Sequence, residues 1–293
     1  MKIRFGVGLG ADIGPGELPA IVDQLEGAAI DSLWFSELVY SRAVDPVVGM
    51  TFALARTERL KVGTSVAVLP GRHPVLVAKE LVSLAALAPK RVLPVFGLRS
   101  ALPAERDLFP VPEGRRAAVF DEALTLLRTV LREGDVTFAG DFHHVRNAVI
   151  GPKPSAPLDI WVGGSSAAAY RRIGALADGW LGSFLTPQEA RQARVAIVDA
   201  ADRAGRVIEP DHYGINLAVG DGELPDAVAA AIRARRPDLD PAELVAPDWS
   251  SLHRRLDEYI AAGLTKFVVR PLSGVNTPDF VDRFARELLP RQN

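Results

Sequence analysis

The chain of 293 residues contains no cysteine, which removes disulfide scaffolds, thiolate metal sites and a cysteine nucleophile from consideration. An excess of positive charge is missing too. With 34 lysines plus arginines against 36 acidic residues the net charge is −2, so no basic field draws nucleic acid and no basic amphipathic stretch marks a membrane surface. No apolar run approaches the ~20 residues of a membrane span, and the opening MKIRFGVGLGAD has no secretory-type apolar segment. The expectation is a cytoplasmic protein whose partners are small molecules. Lysine is scarce as well, six against 28 arginines, a bias that reads as a GC-rich coding sequence.

What is present is enough apolar residue, 48% of the chain, to bury one large core. Short β-branched runs recur: IRFGVGL (3–9), SLWF (32–35), KVGTSVAVL (61–69), RVLPVFG (91–97), LDIWVGG (158–164), DGWLGSF (178–184), HYGINLAVG (212–220) and KFVVR (266–270). They are continuous rather than alternating, as strands covered on both faces must be. The pieces between them carry apolar residues at three-four spacing, as helices do. Eight strands alternating with helices and no linker predict an α/β protein, a single (β/α)8 TIM barrel over residues 1–293, with a doubly wound sheet as the rival. Two segments depart from the alternation: a β-hairpin insertion around Ala139–Gly140–Asp141 before strand 5, and a helical insertion over 221–250 before the last barrel helix.

Gly6–Val7–Gly8–Leu9–Gly10–Ala11 nearly matches a dinucleotide fingerprint. Five residues, Asp12–Gly16, intervene before any helix, and Glu37 lies 26 positions beyond Ala11 where about 20 are required, so the barrel reading is preferred.

In a barrel the C-terminal strand ends converge on one face, where this chain places Gly10, Glu37, Ser65–Val66, Gly97, Gly163–Gly164–Ser165, Ser183, Asn216 and Arg270. The small residues among them fit a flat ligand lying close to the backbone. DIWVGGSSAAAYRR (159–172) opens a helix whose first free N–H groups would face an anion, with Ser165 or Ser166 as the cap and Arg171 and Arg172 turned to solvent. Arg270 is the candidate for an anionic substrate group or cofactor tail. His73 is read as the cap before Pro74. His143 and His144 read as a solvated hairpin, and no metal site is expected.

The runs WFSE (34–37), ERLKVGTSVAVLPGRHPVLVAKELVSLAAL (58–87), KRVLPVFG (90–97), FDEALTLLR (120–128) and PLDIWVGGSSAAAYRRIGALADGWL (157–181) together resemble the luciferase-like monooxygenase superfamily of flavin and deazaflavin oxidoreductases. The resemblance covers the whole chain and is strongest to the deazaflavin (coenzyme F420)-dependent branch. It implies a non-prolyl cis peptide at Ser65–Val66 beneath the cofactor ring, phosphate-tail contacts at Gly163, Gly164 and Ser183, and an acidic residue near the ring at Glu37. It also implies a homodimer packed through the early barrel helices. The chain departs from the sugar-phosphate dehydrogenases of that branch: Leu38 stands where they carry a catalytic histidine, and Leu98–Arg99 where they carry a glutamate. The expectation is hydride transfer between F420 and a small organic substrate, with catalytic roles for Glu37 and Arg270. Ser65, Val66, Gly97, Gly163, Gly164, Ser165 and Ser183 are expected to bind the cofactor. The alternatives are an FMN-dependent monooxygenase and a barrel that binds cofactor without turnover.

Overall fold

The computed structural model describes residues 2–272 and 277–293. Strands β1 (Arg4–Gly8), β2 (Ser32–Phe35), β3 (Lys61–Thr64), β4 (Ala67–Val68), β5 (Val92–Leu93), β6 (Val95–Gly97), β9 (Trp161–Gly163), β10 (Gly179–Ser183), β11 (Tyr213–Val219) and β12 (Lys266–Pro271) form one parallel sheet. Its ladder runs in a ring. β1 pairs with β2 on one side and with β12 on the other, β2 pairs with β3, and β6, β9, β10, β11 and β12 follow in order. The third and fourth runs are each broken in two. Their lower halves pair as β3 with β5 and their upper halves as β4 with β6, which completes the circuit.

The break in the fourth run has a local cause. Pro94 has no N–H to give the ladder, and Thr64 replaces the lost contacts: its hydroxyl accepts the Val95 N–H at 2.8 Å and donates to the Val95 carbonyl at 2.7 Å. The break in the third run is the Ser65–Val66 peptide, which is cis.

Inside the ring Trp34, Val95, Trp161, Leu181 and Val268 make a core of their own, separate from the larger one between strands and helices. Glycines make room for it. A Cβ on Gly6 would lie 2.4 Å from the Trp34 indole nitrogen, one on Gly63 2.7 Å from the same ring, and one on Gly179 2.4 Å from Trp161. The glycine pattern of the first strand therefore serves lumen packing rather than a phosphate turn, and the first helix, α1, begins only at Leu18 (Leu18–Gly27).

The helices start where capping chemistry places them. Asp45 accepts the Val47 and Val48 N–H groups at 2.9 and 3.2 Å ahead of α2 (Pro46–Arg56). His73 Nδ1 accepts the Val75 N–H at 3.3 Å ahead of α3 (Pro74–Leu87). Thr186 and Glu189 form a reciprocal capping box on α6 (Pro187–Arg203). Between α4 (Arg116–Arg132) and β9 lies an antiparallel pair, β7 (Val136–Ala139) and β8 (His144–Ala148). Between β11 and α9 (Trp249–Ala261) come α7 (Asp226–Arg235) and α8 (Pro241–Leu244).

Two solvent assignments are corrected. On α5 (Ala167–Leu176), Arg172 is folded against α4, where it pairs with Asp121 and lies 5.3 Å over the Phe120 ring, because α5 packs directly on α4. His143 is likewise mostly buried, 2.9 Å from Glu122, whose carboxylate also accepts N–H groups from Asp141, Phe142 and His143 and so pins the hairpin tip to α4.

At the N-terminal end of the ring Asp31 receives Lys61 at 2.7 Å and Lys266 at 2.6 Å. Burial alone would raise the Asp31 pKa, but the two ammonium groups hold it down to about 2. Among the described residues no helix is long and apolar enough to cross a membrane, and no cluster of metal-ligating side chains is present.

Candidate active site at the C-terminal mouth

The Ser65–Val66 step sits where β3 gives way to β4, at the mouth of the ring. Val66 is flanked by two bare backbones: a Cβ on Gly97 would come within 2.6 Å of one of its methyl groups, and one on Gly163 within 3.1 Å of the other. The two glycines thus make a slot that only an absent side chain leaves open. Ser65 is held from both ends. Its carbonyl accepts the Ser36 hydroxyl at 3.1 Å and its own hydroxyl donates to Asn216 Oδ1 at 2.7 Å.

Asn216 is the connecting member that sequence reasoning placed at a strand end and left without a role. It is buried, and its amide nitrogen donates to Ser183 Oγ at 2.9 Å. Ser65, Asn216 and Ser183 therefore form a polar chain from the third run across to β11 and β10. Its signal in the sequence was one amide inside an otherwise apolar strand, Ile215–Asn216–Leu217, since a buried amide demands partners.

Gly163–Gly164–Ser165 forms the turn into α5. Gly164 has φ +136°, a conformation in which any side chain is strained, and a Cβ there would lie 2.8 Å from Ala169. Its carbonyl accepts the Trp180 indole N–H at 2.9 Å. Ser166, not Ser165, caps the helix through the Ala169 N–H at 3.2 Å, and the exposed Ser165 takes no part in the cap. The ADGW run explains itself here: the Asp178 carboxylate accepts the Ile160 N–H at 3.0 Å and pairs with Arg128 and Arg206 while Trp180 holds the Gly164 carbonyl, so this motif locks the glycine turn in place.

Glu37 lies on the α2–α3 side of the mouth. It is 7% exposed, one carboxylate oxygen accepts the Val68 N–H at 2.7 Å, and the other is paired with Arg72. Burial pushes its pKa up, against the opposing Val68 hydrogen bond and the Arg72 charge. Both oxygens are thus engaged in holding β4 and the segment that follows it. Arg270, near the end of β12 and in register with Ala218, is partly buried and has no ion pair among the described residues. The structure brings Ser65, Val66, Gly97, Gly163 and Ser183 together around Asn216. Gly164 and Ser165 join them through the turn.

The luciferase-like monooxygenase family model matches residues 1–262. The chain belongs to that family. Among its relatives is the F420-dependent glucose-6-phosphate dehydrogenase of Beutenbergia cavernae, 27% identical over 99% of this chain and 97% of the relative. Two solved structures superpose over the full length of both chains. One is an F420-dependent secondary alcohol dehydrogenase in complex with an F420–acetone adduct (TM-score 0.83, 17% identity). The other is the coenzyme F420-dependent tetrahydromethanopterin reductase of Methanopyrus kandleri (TM-score 0.81, 17% identity). At that identity the likeness is one of fold.

Proposed function

We propose that this family member is an F420-dependent oxidoreductase that transfers a hydride between coenzyme F420 and a small organic substrate at the mouth of the barrel. The observation that carries the reading is the Ser65–Asn216–Ser183 chain with the Gly97–Val66–Gly163 slot beside it. It is a floor of backbone and small side chains, of the kind a planar ring can lie on. F420-dependent relatives spanning the whole chain support the choice of cofactor.

When bound, the deazaflavin supplies a two-electron hydride carrier with carbon in place of the flavin's reactive nitrogen. The chain's own residues orient it and exclude water. Ser65 and Val66 form the support, and Gly97 and Gly163 admit it. The free N–H groups at the start of α5, with Gly164 and Ser165, meet the anionic tail. Ser183, kept in orientation by Asn216, adds a hydroxyl to that tail. Glu37 acts as a positioning residue, because its carboxylate fixes Val68 and through it the upper half of the third run. Arg270 faces the substrate. Leu38 and Leu98–Arg99, standing where the sugar-phosphate enzymes use histidine and glutamate, favour a substrate other than a sugar phosphate.

The homodimer fits α2 and α3, whose outer faces leave Val48, Leu76 and Leu87 exposed; a cytoplasmic location belongs to the same reading. Titration of the full chain with F420 and with FMN, followed by ring fluorescence, tests the cofactor. Saturable F420 quenching followed by bleaching or regrowth of the ring absorbance with an alcohol or carbonyl panel is the expected result. Preference for FMN would move the protein to the monooxygenases, binding without turnover to the non-catalytic alternative, and failure of both cofactors to bind would end the proposal.

A further inference from the structure

Two segments overhang the mouth, and each brings arginines that have no ion pair among the described residues. The first, 98–108, leaves the end of β6 and includes a short 3-10 turn, Pro103–Leu108. It carries Arg99, exposed, and Arg106, whose Nε is buried with no hydrogen-bond partner. The glutamate between them is already committed: Glu105 accepts the Tyr40 N–H at 2.7 Å and the Ser100 hydroxyl at 2.6 Å.

The second segment is α7. A small apolar core of Ile232, Leu244 and Val245, packed on Ala218 and Leu272, fastens it over the ends of β11 and β12. That placement lets Arg235, its last residue, reach toward β10, where its guanidinium lies 4.4 Å over the Phe184 ring. Arg270 lies on β12, two residues before the Leu272 that packs on this same core. None of Arg99, Arg106, Arg235 or Arg270 has an ion pair among the described residues, whereas Arg236, the next residue after α7, is paired with both Glu189 and Asp238.

Arg235 is the member the others share: it lies within electrostatic reach of Arg99, Arg106 and Arg270. Burial and then the charges of Arg106 and Arg99 lower the Arg235 pKa, and burial and then the charge of Arg235 lower that of Arg270. Like charges gathered over a mouth without counter-charge are unfavourable on their own and become favourable when an anion enters. Guanidinium groups in particular match the paired oxygens of carboxylate and phosphate.

We propose that Arg99, Arg106, Arg235 and Arg270 form an oxyanion site for the substrate, and that the substrate carries more than one negative charge, as carboxylates or a phosphate. The inference rests on the oxidoreductase reading for its account of what the anion is. The site itself is a property of the free chain. The cofactor's own acidic tail has the same chemistry, and the experiment separates the two sources.

The cofactor-free chain is titrated with inorganic pyrophosphate, citrate and acetate, read by thermal shift and calorimetry at fixed ionic strength. Saturable binding of pyrophosphate and citrate but not acetate is expected. Arg235→Gln and Arg270→Gln should each weaken it by about tenfold, the scale of one lost charge-assisted contact. Arg203→Gln, an exposed change at the end of α6, controls for net charge and should leave it unaltered. Binding of F420 relative to its form without glutamates is measured in the same variants, and that ratio should stay constant. Absence of pyrophosphate and citrate binding, equal weakening in Arg203→Gln, or a collapse of the F420 ratio would each overturn the assignment, the last by giving the site to the cofactor tail. Because the anion titration needs no cofactor, its failure is distinct from failure of F420 to bind.

Discussion

Replacing Asp31 by asparagine tests whether this barrel divides its labour along its axis. Lys266 is buried at the closed end and its ammonium lies 2.6 Å from Asp31; the isosteric amide keeps the shape and removes the charge. The folded Asp31 pKa of about 2, against the ordinary aspartate value of 3.8, corresponds, at about 1.4 kcal/mol per unit, to roughly 2 kcal/mol of stability at neutral pH. Counting the stranded Lys266 ammonium as well, breaking a buried pair from one side costs ~3–5 kcal/mol in all. Asp31→Asn should therefore lose about 2–5 kcal/mol in equilibrium urea unfolding, a large share of a typical total of ~5–15 kcal/mol. The sign with pH follows from the depressed pKa. Asp31's contribution is complete above the unfolded-state value and disappears as pH falls from about 3.8 through 2, so the variant should show a shallower acid limb than the parent. Its F420 titration curve at neutral pH should match the parent's, because the cluster lies at the opposite end of the ring from the mouth. A loss below about 1 kcal/mol with the acid limb unchanged would refute the electrostatic account.

Substitutions at three other positions address the mouth. Gly97→Ala places a Cβ 2.6 Å from Val66; F420 affinity should fall about tenfold or more while unfolding free energy drops by ~1–3 kcal/mol, and unchanged affinity would remove the slot from the site. Asn216→Leu strips Ser65 and Ser183 of their shared partner, at a cost of ~1–3 kcal/mol in stability together with weaker F420 quenching; Asn216→Asp, which can still accept from Ser65, should retain more. Gly164→Ala forces a side chain into φ +136° against Ala169 and should weaken intact F420 more than the form of the ring that lacks the phosphate tail, measured by parallel fluorescence titrations.

Strand positions were legible because each run is apolar on both sides, and all eight runs recur as ladder segments. Pro94 was equally visible, yet its consequence was not, because only the neighbouring Thr64 hydroxyl reveals how the ladder is mended. The motif residues Gly163, Gly164 and Ser183 could be placed by spacing. The bond from Ser65 to Ser183 through Asn216 could not, since it joins positions up to 151 residues apart. Arg172 was misread for a related reason: a helix pattern identifies a face, while the neighbour that covers it is decided by packing. The overhanging arginines lie in segments with irregular periodicity, where only the three-dimensional course of α7 brings Arg235 over Phe184.

Trp34 and Trp161, packed with Val95, Leu181 and Val268 inside the ring, stopper the cylinder. Traffic is therefore one-way in and the same way out: whatever rests deepest must arrive before its companion and depart after it. Steady-state patterns should show the ring-bearing molecule binding first and leaving last, with the organic partner unable to gain the floor alone.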